Sequence, residues 1–410
     1  MTAQLLMSIP VSEQLKIFKQ GTVDLISEDE LRTKLSGGRP LRIKYGADPS
    51  AADLHLGHTV PLRKLKQIQD LGHQIVFIIG DFTARVGDPS GQSETRPTLT
   101  EREVKANAKT YEHQVFRILN SKKTEVRYNS EWLGKFRTED FMNLASKYTV
   151  ARILERDDFA KRYREKQPIT VLEFLYPLLQ GYDSVHVKSD LEVGGTDQKF
   201  NLLVGRELQR DWKQSPQVVL TLPLIEGTDG KDKMSKSLGN HIAIEDTPSD
   251  MVGKLMSVPD TLIIRYFRYL TGLPEETVGR FEADLNSGRL HPRAAKAQMA
   301  REIVRLFHGD KASAEAERAF DRLVREKQLP EVIEEIKLAE ALLSDGKIDI
   351  VSLLSETGLT ASKSEARRLV EQGGVKVNEA RVSNLEARIS LQKPVVVQCG
   401  KRKFARVSVR

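Results

Sequence analysis

Two short segments of this 410-residue sequence carry side chains suited to binding phosphate. The first is His55-Leu-Gly-His58, which follows a strand-like run at residues 41–45 and opens a run with helical spacing. A helix N-terminus leaves backbone N–H groups free and carries partial positive charge, so it favours an anion. Gly57 has no side chain, so a nucleotide can approach the backbone closely. A His-x-x-His pair alone is also typical of a metal site or of surface histidines, but the strand–turn–helix context favours phosphate.

The second segment, residues 229–239, is called the lysine loop below. Lys231, Lys233 and Lys236 lie close together in it between glycines, with Ser235 and Ser237 among them. A mobile loop with two or three ammonium groups can close on a triphosphate and stabilise the charge that develops during reaction. Taken alone, the same composition is also that of a solvated basic loop.

The elements that must position these segments begin with two strand-like runs, residues 41–45 and 74–79, each followed by glycine. Between them, residues 59–71 have helical spacing, which predicts a βαβ unit and a parallel α/β sheet. Residues 218–224 are typical of a later buried strand. Residues 101–190 are rich in Lys, Glu and Leu and are interpreted as a mostly helical insertion.

The second half of the sequence predicts helices over residues 248–327 and a linker with one short helix over 328–346. A helix and two strands are predicted after it, at residues 364–371, 375–378 and 394–398.

The charge of the chain is unevenly distributed. Lys and Arg number 64 against 57 Asp and Glu, and residues 347–410 contain 13 of the former and 6 of the latter. The net excess of +7 therefore resides entirely in this last segment, which indicates a polyanionic partner. A solvated basic tail is the alternative, but such tails are of low complexity and this segment is not.

Composition excludes several other classes of protein. No apolar run approaches the ~20 residues of a membrane helix. The N-terminus lacks the basic leader and long apolar segment of a secretory signal. Cys399 is the one cysteine, which excludes an intramolecular disulfide and a multi-cysteine zinc site. A cytoplasmic location is therefore expected.

The two phosphate-binding segments together resemble the paired signatures of class I aminoacyl-tRNA synthetases, His-Leu-Gly-His and Lys-Met-Ser-Lys-Ser. Five further motifs narrow the resemblance to the bacterial tyrosyl-tRNA synthetases over nearly the whole chain. They are Gly87-Asp-Pro-Ser-Gly91, Tyr176-Pro-Leu-Leu-Gln-Gly-Tyr-Asp183, Val193-Gly-Gly-Thr-Asp-Gln198, His291-Pro-Arg-Ala-Ala-Lys296 and Ser362-Lys-Ser-Glu-Ala-Arg-Arg-Leu369.

This resemblance implies an α/β fold class and a particular domain order. A Rossmann-like parallel-sheet catalytic domain, residues 1–240, would contain the helical insertion and the lysine loop. An α-helical anticodon-side domain, residues 241–327, and the linker, residues 328–346, would precede a small α+β RNA-binding domain, residues 347–410. A homodimer is expected, with the insertion around residues 109–162 at its interface.

The resemblance also implies the reaction. The carboxylate of L-tyrosine attacks the α-phosphate of ATP, pyrophosphate leaves, and the adenylate is passed to the 3′ end of a tRNA. His55, His58 and Ser50 would contact the triphosphate, and Lys233 and Lys236 would stabilise departing pyrophosphate. Mg²⁺ should accompany ATP, held mainly by phosphates, with no dedicated protein metal site. The remaining residues matched to ATP binding are Asp48, Gly57, Gly195, Asp197 and Ser235. Of these, Asp197 matches a contact to the ribose.

Five residues match the family's tyrosine site. Asp88, Tyr176 and Gln180 would hold the substrate ammonium, Asp183 would accept from the phenol, and Gln198 would contact the carboxyl region. Tyr176, Gln180 and Asp183 are spaced to share one helix face. Along one edge of the C-terminal helix, tRNA phosphates would contact Lys363, Arg367 and Arg368.

The sequence departs from the family pattern at two positions. Lys44 replaces a tyrosine that in one branch is a second donor to the phenol, whereas the branch with this lysine loop tolerates the change. Tyr45 should not substitute for it, because neighbouring strand residues face opposite ways. Gln92 stands where some relatives have lysine, although Arg96 matches the pattern.

Three other interpretations remain at this stage. A tryptophanyl-tRNA synthetase has the same chemistry but usually lacks the C-terminal module. A small-molecule nucleotidyltransferase shares the His-x-Gly-His core, and the basic module disfavours it. A non-catalytic RNA-binding protein derived from a synthetase is disfavoured by the intact histidine and lysine signatures.

Overall fold

The computed structural model describes residues 9–49, 53–88, 90, 100–325, 333–344, 346–400 and 403–409. The chain forms two compact units. The first comprises Met1–Asp246 and Lys254–Phe307, and the second comprises Thr247–Gly253 and His308–Arg410. This division differs from the predicted domains, because residues 254–307 of the predicted helical domain belong to the first unit.

The first unit contains a six-stranded sheet with the strand order β1-β6-β5-β2-β3-β4. The strand bounds are β1 Asp24–Ile26, β2 Arg42–Ala47, β3 Gln74–Ile79, β4 Thr124–Tyr128, β5 Leu191–Gly195 and β6 Val218–Leu222. All neighbouring strands are parallel except β1, which pairs antiparallel with β6. The predicted α/β class with a parallel sheet is confirmed.

Helices cover this sheet and build most of the remaining first unit. In chain order the helices up to residue 211 are α1 Val11–Lys19, α2 Glu28–Ser36, α3 Leu56–Asp70, α4 Glu101–Val115, α5 Ser130–Leu133, α6 Thr138–Ala145, α7 Val150–Ile153, α8 Asp157–Arg164, α9 Val171–Val187 and α10 Lys199–Asp211. Strands β3 and β6 are almost entirely apolar and buried, as expected for parallel strands with both faces covered.

Residues 101–190 are mostly helical, as predicted, but they also include one strand. This strand is β4, which extends the sheet beside β3, so the helical insertion proper lies between β4 and β5. The sequence pattern did not reveal this strand, because β4 is half-buried and carries two charged residues, Glu125 and Arg127, that pair with each other. An edge strand of this kind lacks the apolar run by which a buried strand is recognised.

Four helices follow residue 247, as the sequence predicts for residues 248–327. They are α11 Pro248–Ser257, α12 Ile263–Leu270, α13 Glu275–Asn286 and α14 Pro292–Arg325. Helix α14 is interrupted at Gly309, whose φ of 81° lies in the left-handed region that favours glycine. None of the described helices has the length and apolar character needed to cross a lipid bilayer.

The second unit ends in a small α+β domain. Its five-stranded sheet has the order β10-β9-β12-β13-β7, and a separate pair joins β11 to β8. The elements are β7 Glu334–Leu338, β8 Lys347–Asp349, α15 Ile350–Glu356, α16 Lys363–Glu371, β9 Val375–Val377, β10 Ala380–Val382, β11 Arg388–Ser390, β12 Val395–Cys399 and β13 Lys403–Val409. Buried Val, Ile and Leu side chains from these elements form one core.

Strand β7 corrects the predicted linker. Residues 328–346 are predicted to be a linker with one short helix. Instead, β7 pairs in parallel with β13, and the helical part is a single 3₁₀ turn, Glu340–Leu342. The partners lie about 70 residues apart along the chain, so local pattern gives no sign of their pairing. The C-terminal domain therefore begins before residue 347.

Candidate active site

The candidate site lies at the carboxyl ends of four neighbouring parallel strands. Asp48 follows β2, Asp88 follows the turn after β3, Asn129 follows β4, and the turn Thr196–Gln198 follows β5. Strand order reverses between β2 and β5, because β3 and β4 lie on one side and β6 on the other. Ligands of parallel α/β sheets bind at such a switch point.

The two histidines lie at the start of α3, as the sequence predicts. The backbone N–H of His55 donates to Nδ1 of His58 at 3.2 Å, and the ring centroids are 3.8 Å apart. Burial lowers the pKa of His55 to about 2 and that of His58 to about 4. Both rings are therefore neutral at neutral pH, and the His58 proton resides on Nε2, because Nδ1 is an acceptor. Nε2 of His58 can thus donate to an anion.

Gly57 keeps the first turn of α3 open. A Cβ atom at this position would lie 3.0 Å from two ring atoms of His55 and 3.7 Å from Cβ of Met234 in the lysine loop. Any side chain would press on the histidine ring. The backbone of this turn is consequently accessible only with glycine, as the phosphate interpretation requires.

The two later lysines of the lysine loop are ion-paired across the site. Nζ of Lys233 lies 3.3 Å from Oδ2 of Asp197, and Nζ of Lys236 lies 3.1 Å from Oδ2 of Asp53. All four side chains are partly exposed, so these pairs contribute little stability. Phosphate oxygens can replace the carboxylates at small cost. Lys231 is exposed.

Asn240, which immediately follows the lysine loop, holds it in shape. Its side chain is buried. Oδ1 accepts from the backbone N–H of Ser235 at 2.8 Å, and Nδ2 donates to Oδ2 of Asp229 at 2.6 Å and to the carbonyl of Lys233 at 3.2 Å. Sequence reasoning missed this residue, although its place directly after the glycine that ends the loop was a usable signal.

Asp48, which follows β2, accepts hydrogen bonds from two side-chain hydroxyls, one of them that of Tyr176. The Tyr176 hydroxyl donates to Oδ2 of Asp48 at 2.8 Å, and the Thr83 hydroxyl donates to Oδ1 at 2.7 Å. Burial raises the pKa of Asp48 to about 7, with the nearby Asp88 carboxylate adding to the shift against these two hydrogen bonds. Asp48 is matched to ATP binding by the family resemblance, and its hydrogen bond also joins it to Tyr176.

Asp183 is buried on the same helix as Tyr176. Nε1 of Trp132 donates to Oδ1 at 2.8 Å, and Nδ2 of Asn129 donates to Oδ2 at 3.3 Å. Burial raises the pKa of Asp183 to about 7, although Lys44 and both donors favour the charged form. Asn129 and Trp132 were missed because their region was interpreted as a helical insertion, with no strand to bring them to the site.

Asp88, Gln198 and Gln180 are joined by hydrogen bonds. Nε2 of Gln198 donates to Oδ2 of Asp88 at 2.8 Å. Nδ2 of Asn201 donates to Oε1 of Gln180 at 2.9 Å and to Oε1 of Gln198 at 3.2 Å. The carboxyl groups of Asp48, Asp88 and Asp183 lie near one another in a partly buried pocket, where a cationic group would favour their ionised forms.

Lys44 is fully buried below this pocket. Its Nζ donates to the carbonyl of Gln180 at 2.9 Å and to Oγ of Ser184 at 2.8 Å, and it lies 2.8 Å from Oε1 of buried Glu192. The ammonium therefore has three partners within the protein. Tyr45 faces the other way and packs its ring 5.7 Å from that of Phe77, which confirms the predicted alternation.

The remaining predicted ATP-side residues are distributed around the lysine loop. Gly195 ends β5, where a Cβ atom would lie 2.6 Å from Oδ1 of Asp197. The hydroxyl oxygen of Ser235 lies 2.8 Å from that of Ser237 within the loop. Ser50 and Gln92 lie outside the described residues.

The predicted tRNA contacts lie in the second unit. Lys363, Arg367 and Arg368 are exposed on α16, which begins after Ser362, whose side chain accepts from the backbone N–H of Glu365. Lys363 and Arg367, four residues apart, share one face of the helix, and Arg368 lies about 100° further round it.

Comparison with known proteins separates the tyrosyl and tryptophanyl possibilities. The family model described as tRNA synthetases class I (W and Y) matches residues 36–325. The chain is also 52% identical over 396 residues to the tyrosine–tRNA ligase of Thermotoga maritima, covering 97% of each chain. It is 53% identical over 403 residues to that of Geobacter metallireducens, covering 97% of this chain and 99% of the relative.

The chain belongs to the tyrosine–tRNA ligase family. These ligases are class I aminoacyl-tRNA synthetases, and the tryptophanyl interpretation is set aside. Residues 330–407 match a second model, the tyrosine–tRNA ligase SYY-like C-terminal domain, a range that includes β7.

Solved structures of tyrosyl-tRNA synthetases have the same fold. That of Archaeoglobus fulgidus, complexed with L-tyrosine, matches with a TM-score of 0.62 at 23% identity, covering 75% of this chain and 100% of the other. A C-terminally truncated mitochondrial enzyme from Aspergillus nidulans matches with a TM-score of 0.63 at 21% identity, covering 78% and 98% respectively. At 21% and 23% identity, these two matches show only that the fold is shared.

Proposed function

We propose that this chain activates L-tyrosine with ATP, releases pyrophosphate, and transfers the tyrosyl group from the adenylate to the 3′ end of its cognate tRNA. One observation supports the activation step. The turn after β5 joins both halves of the site, because Asp197 pairs with Lys233 and its neighbour Gln198 donates to Asp88. A carboxylate bound on the Gln198 side would therefore lie beside phosphates bound on the lysine side.

On the phosphate side, His55 and His58 donate to the triphosphate as neutral rings, together with Ser50. Lys233 and Lys236 exchange their carboxylate partners for phosphate oxygens and stabilise the charge on departing pyrophosphate. No covalent bond to the protein forms, so catalysis consists of positioning and charge stabilisation. Mg²⁺ would accompany ATP, held mainly by the phosphates. The rest of the nucleotide contacts the backbone or side chains of Asp48, Gly57, Gly195, Asp197 and Ser235.

On the amino-acid side, Asp88, Tyr176 and Gln180 bind the tyrosine ammonium, and Gln198 contacts the carboxyl region. The surrounding carboxylates support this proposal, because a bound cation relieves their mutual repulsion. Asp183 accepts from the phenol. Trp132 and Asn129 orient its two oxygens, so its acceptor direction is fixed before substrate binds.

In this proposal the C-terminal domain binds the tRNA. Lys363, Arg367 and Arg368 would contact phosphates, which position the RNA without reading its bases. The helices between residues 241 and 327 would form the anticodon-side part. A cytoplasmic location follows from this role, because charged tRNA is used where translation occurs.

Removal of residues 333–410 tests the tRNA step. The cut lies before β7, because a cut at residue 347 would leave that strand without β13, its partner. We expect tyrosine-dependent pyrophosphate exchange to remain nearly unchanged while tRNA charging falls strongly, and salt to weaken tRNA binding by the full chain. Exchange by the shortened chain is the internal control. Undiminished charging would contradict the proposed role of this domain.

We also propose a homodimer. Large apolar side chains are exposed on the helices between β4 and β5, including Met142, Tyr163 and Val171, the last of which is 77% exposed. Sedimentation at micromolar concentration should give the mass of a dimer, and Val171→Asp should shift it toward monomer. Val23→Asp, at an exposed valine outside these helices, is the matched control. A monomeric unmodified chain would contradict this proposal.

A further inference from the structure

A buried arginine outside all the recognised motifs is hydrogen-bonded to the tyrosine pocket. NH1 of Arg156, in the helical insertion, donates to Oδ1 of Asn201 at 3.1 Å. Both side chains are buried, with exposed fractions of 6% and 1%. Arg156 is held in place by Asp158, through Nε at 2.8 Å and NH2 at 3.0 Å.

This contact fixes which end of the Asn201 amide faces the pocket. A guanidinium has donors only, so the atom opposite it must be the amide oxygen. The NH2 group of Asn201 is thereby directed to the other side, where Oε1 of Gln180 and Oε1 of Gln198 accept from it at 2.9 and 3.2 Å. Oγ of Ser90 lies farther away, at 3.5 Å.

The same order of donor and acceptor continues from Asn201 to the carboxylate of Asp88. With its oxygen bonded to Asn201, Gln198 presents Nε2 to Oδ2 of Asp88 at 2.8 Å, and an ionised carboxylate can only accept. The series from Arg156 through Asn201 and Gln198 to Asp88 therefore runs from a group that only donates to one that only accepts. Reversing either amide would place two donors or two acceptors in contact.

We infer that Arg156 and Asn201 are positioning residues for recognition of the substrate ammonium, because they set the amide orientations of Gln180 and Gln198. An ammonium group only donates, so its site must present acceptors. The NH2 group of Asn201 uses one lone pair of Oε1 of Gln180 and leaves the second lone pair for the ammonium. Gln198 holds Asp88 in place. This inference rests on the proposed function, in which Asp88 and Gln180 bind that group.

Asn201→Asp tests the inference with almost no change in shape. The aspartate retains an oxygen for Arg156 but cannot donate to Gln180 and Gln198. Either the two glutamine amides rotate, or their oxygens face an oxygen of the aspartate. We expect KM for tyrosine in pyrophosphate exchange to rise roughly ten- to a hundredfold, with KM for ATP changed by less than about twofold. Arg156→Met should have the same selective effect, whereas Arg156→Lys, which keeps a donor, should retain most of the affinity.

An analogue without the ammonium separates positioning from general damage to the pocket. The competitive inhibition constant of 3-(4-hydroxyphenyl)propanoate, which is tyrosine without its amino group, should be nearly the same for Asn201→Asp and the unmodified chain. An equal loss of affinity for tyrosine and the analogue, or an unchanged KM for tyrosine, would overturn the inference. If the unmodified chain did not activate tyrosine at all, the proposed function itself would fail.

Discussion

Lys236→Ala should lower kcat for tyrosine-dependent pyrophosphate exchange by roughly a hundred- to a thousandfold, with a much smaller rise in KM for ATP. In the free protein the ammonium of Lys236 is paired with Asp53 at 3.1 Å and remains partly exposed. Its charge is needed most as pyrophosphate departs, and an interaction that strengthens in the transition state changes kcat.

Lys231→Ala is the matched control for this experiment. It removes the same side chain from the same loop at an exposed position, and it should leave kcat nearly unchanged. A change in Lys236→Ala that is confined to KM for ATP would show that this lysine binds ATP without stabilising the transition state.

Asp183→Ala should collapse the ratio of kcat/KM for tyrosine to that for phenylalanine, chiefly through loss of activity on tyrosine. The pocket would lose its buried phenol acceptor, and the Trp132 and Asn129 donors would be left without their partner. A loss of roughly tenfold to a hundredfold on tyrosine is expected from one charged, buried hydrogen bond. Lys44 cannot replace it, because an ammonium has no acceptor and its donors already contact Glu192, Ser184 and Gln180.

Tyr45→Phe is the control for this second experiment. The ring of Tyr45 packs against Phe77 on the face of β2 opposite Lys44, so loss of its hydroxyl should change the ratio little. Exchange kinetics with both amino acids measure it. If Tyr45→Phe abolished discrimination and Asp183→Ala preserved it, the phenol would be recognised on the opposite face of the strand.

The parts of the site that lie within one short segment of the chain could be predicted from the sequence of that segment. The strand, turn and helix around His55 and the single helix that carries Tyr176, Gln180 and Asp183 follow from spacing and glycine positions, and both are confirmed. The opposite facing of Lys44 and Tyr45 follows from strand alternation alone.

Contacts between distant parts of the chain could not be predicted in this way. Lys44 meets its partner Glu192 on the neighbouring strand β5, and Arg156, in the turn before α8, meets Asn201 on α10. Neither pair has a spacing that marks it, because only the assembled sheet brings its members together. β7 was missed for the same reason, since its pairing with β13 joins segments that are far apart in sequence.

Amino-acid-dependent exchange of pyrophosphate into ATP, run with each of the twenty amino acids and without tRNA, tests the central claim most directly. The phosphate side and the carboxylate-lined pocket share the turn after β5, so we expect activation to need only the amino acid and ATP, with the Mg²⁺ proposed to accompany it. Tyrosine alone should support exchange. Exchange driven by tryptophan instead, or by none of the twenty, would contradict the account.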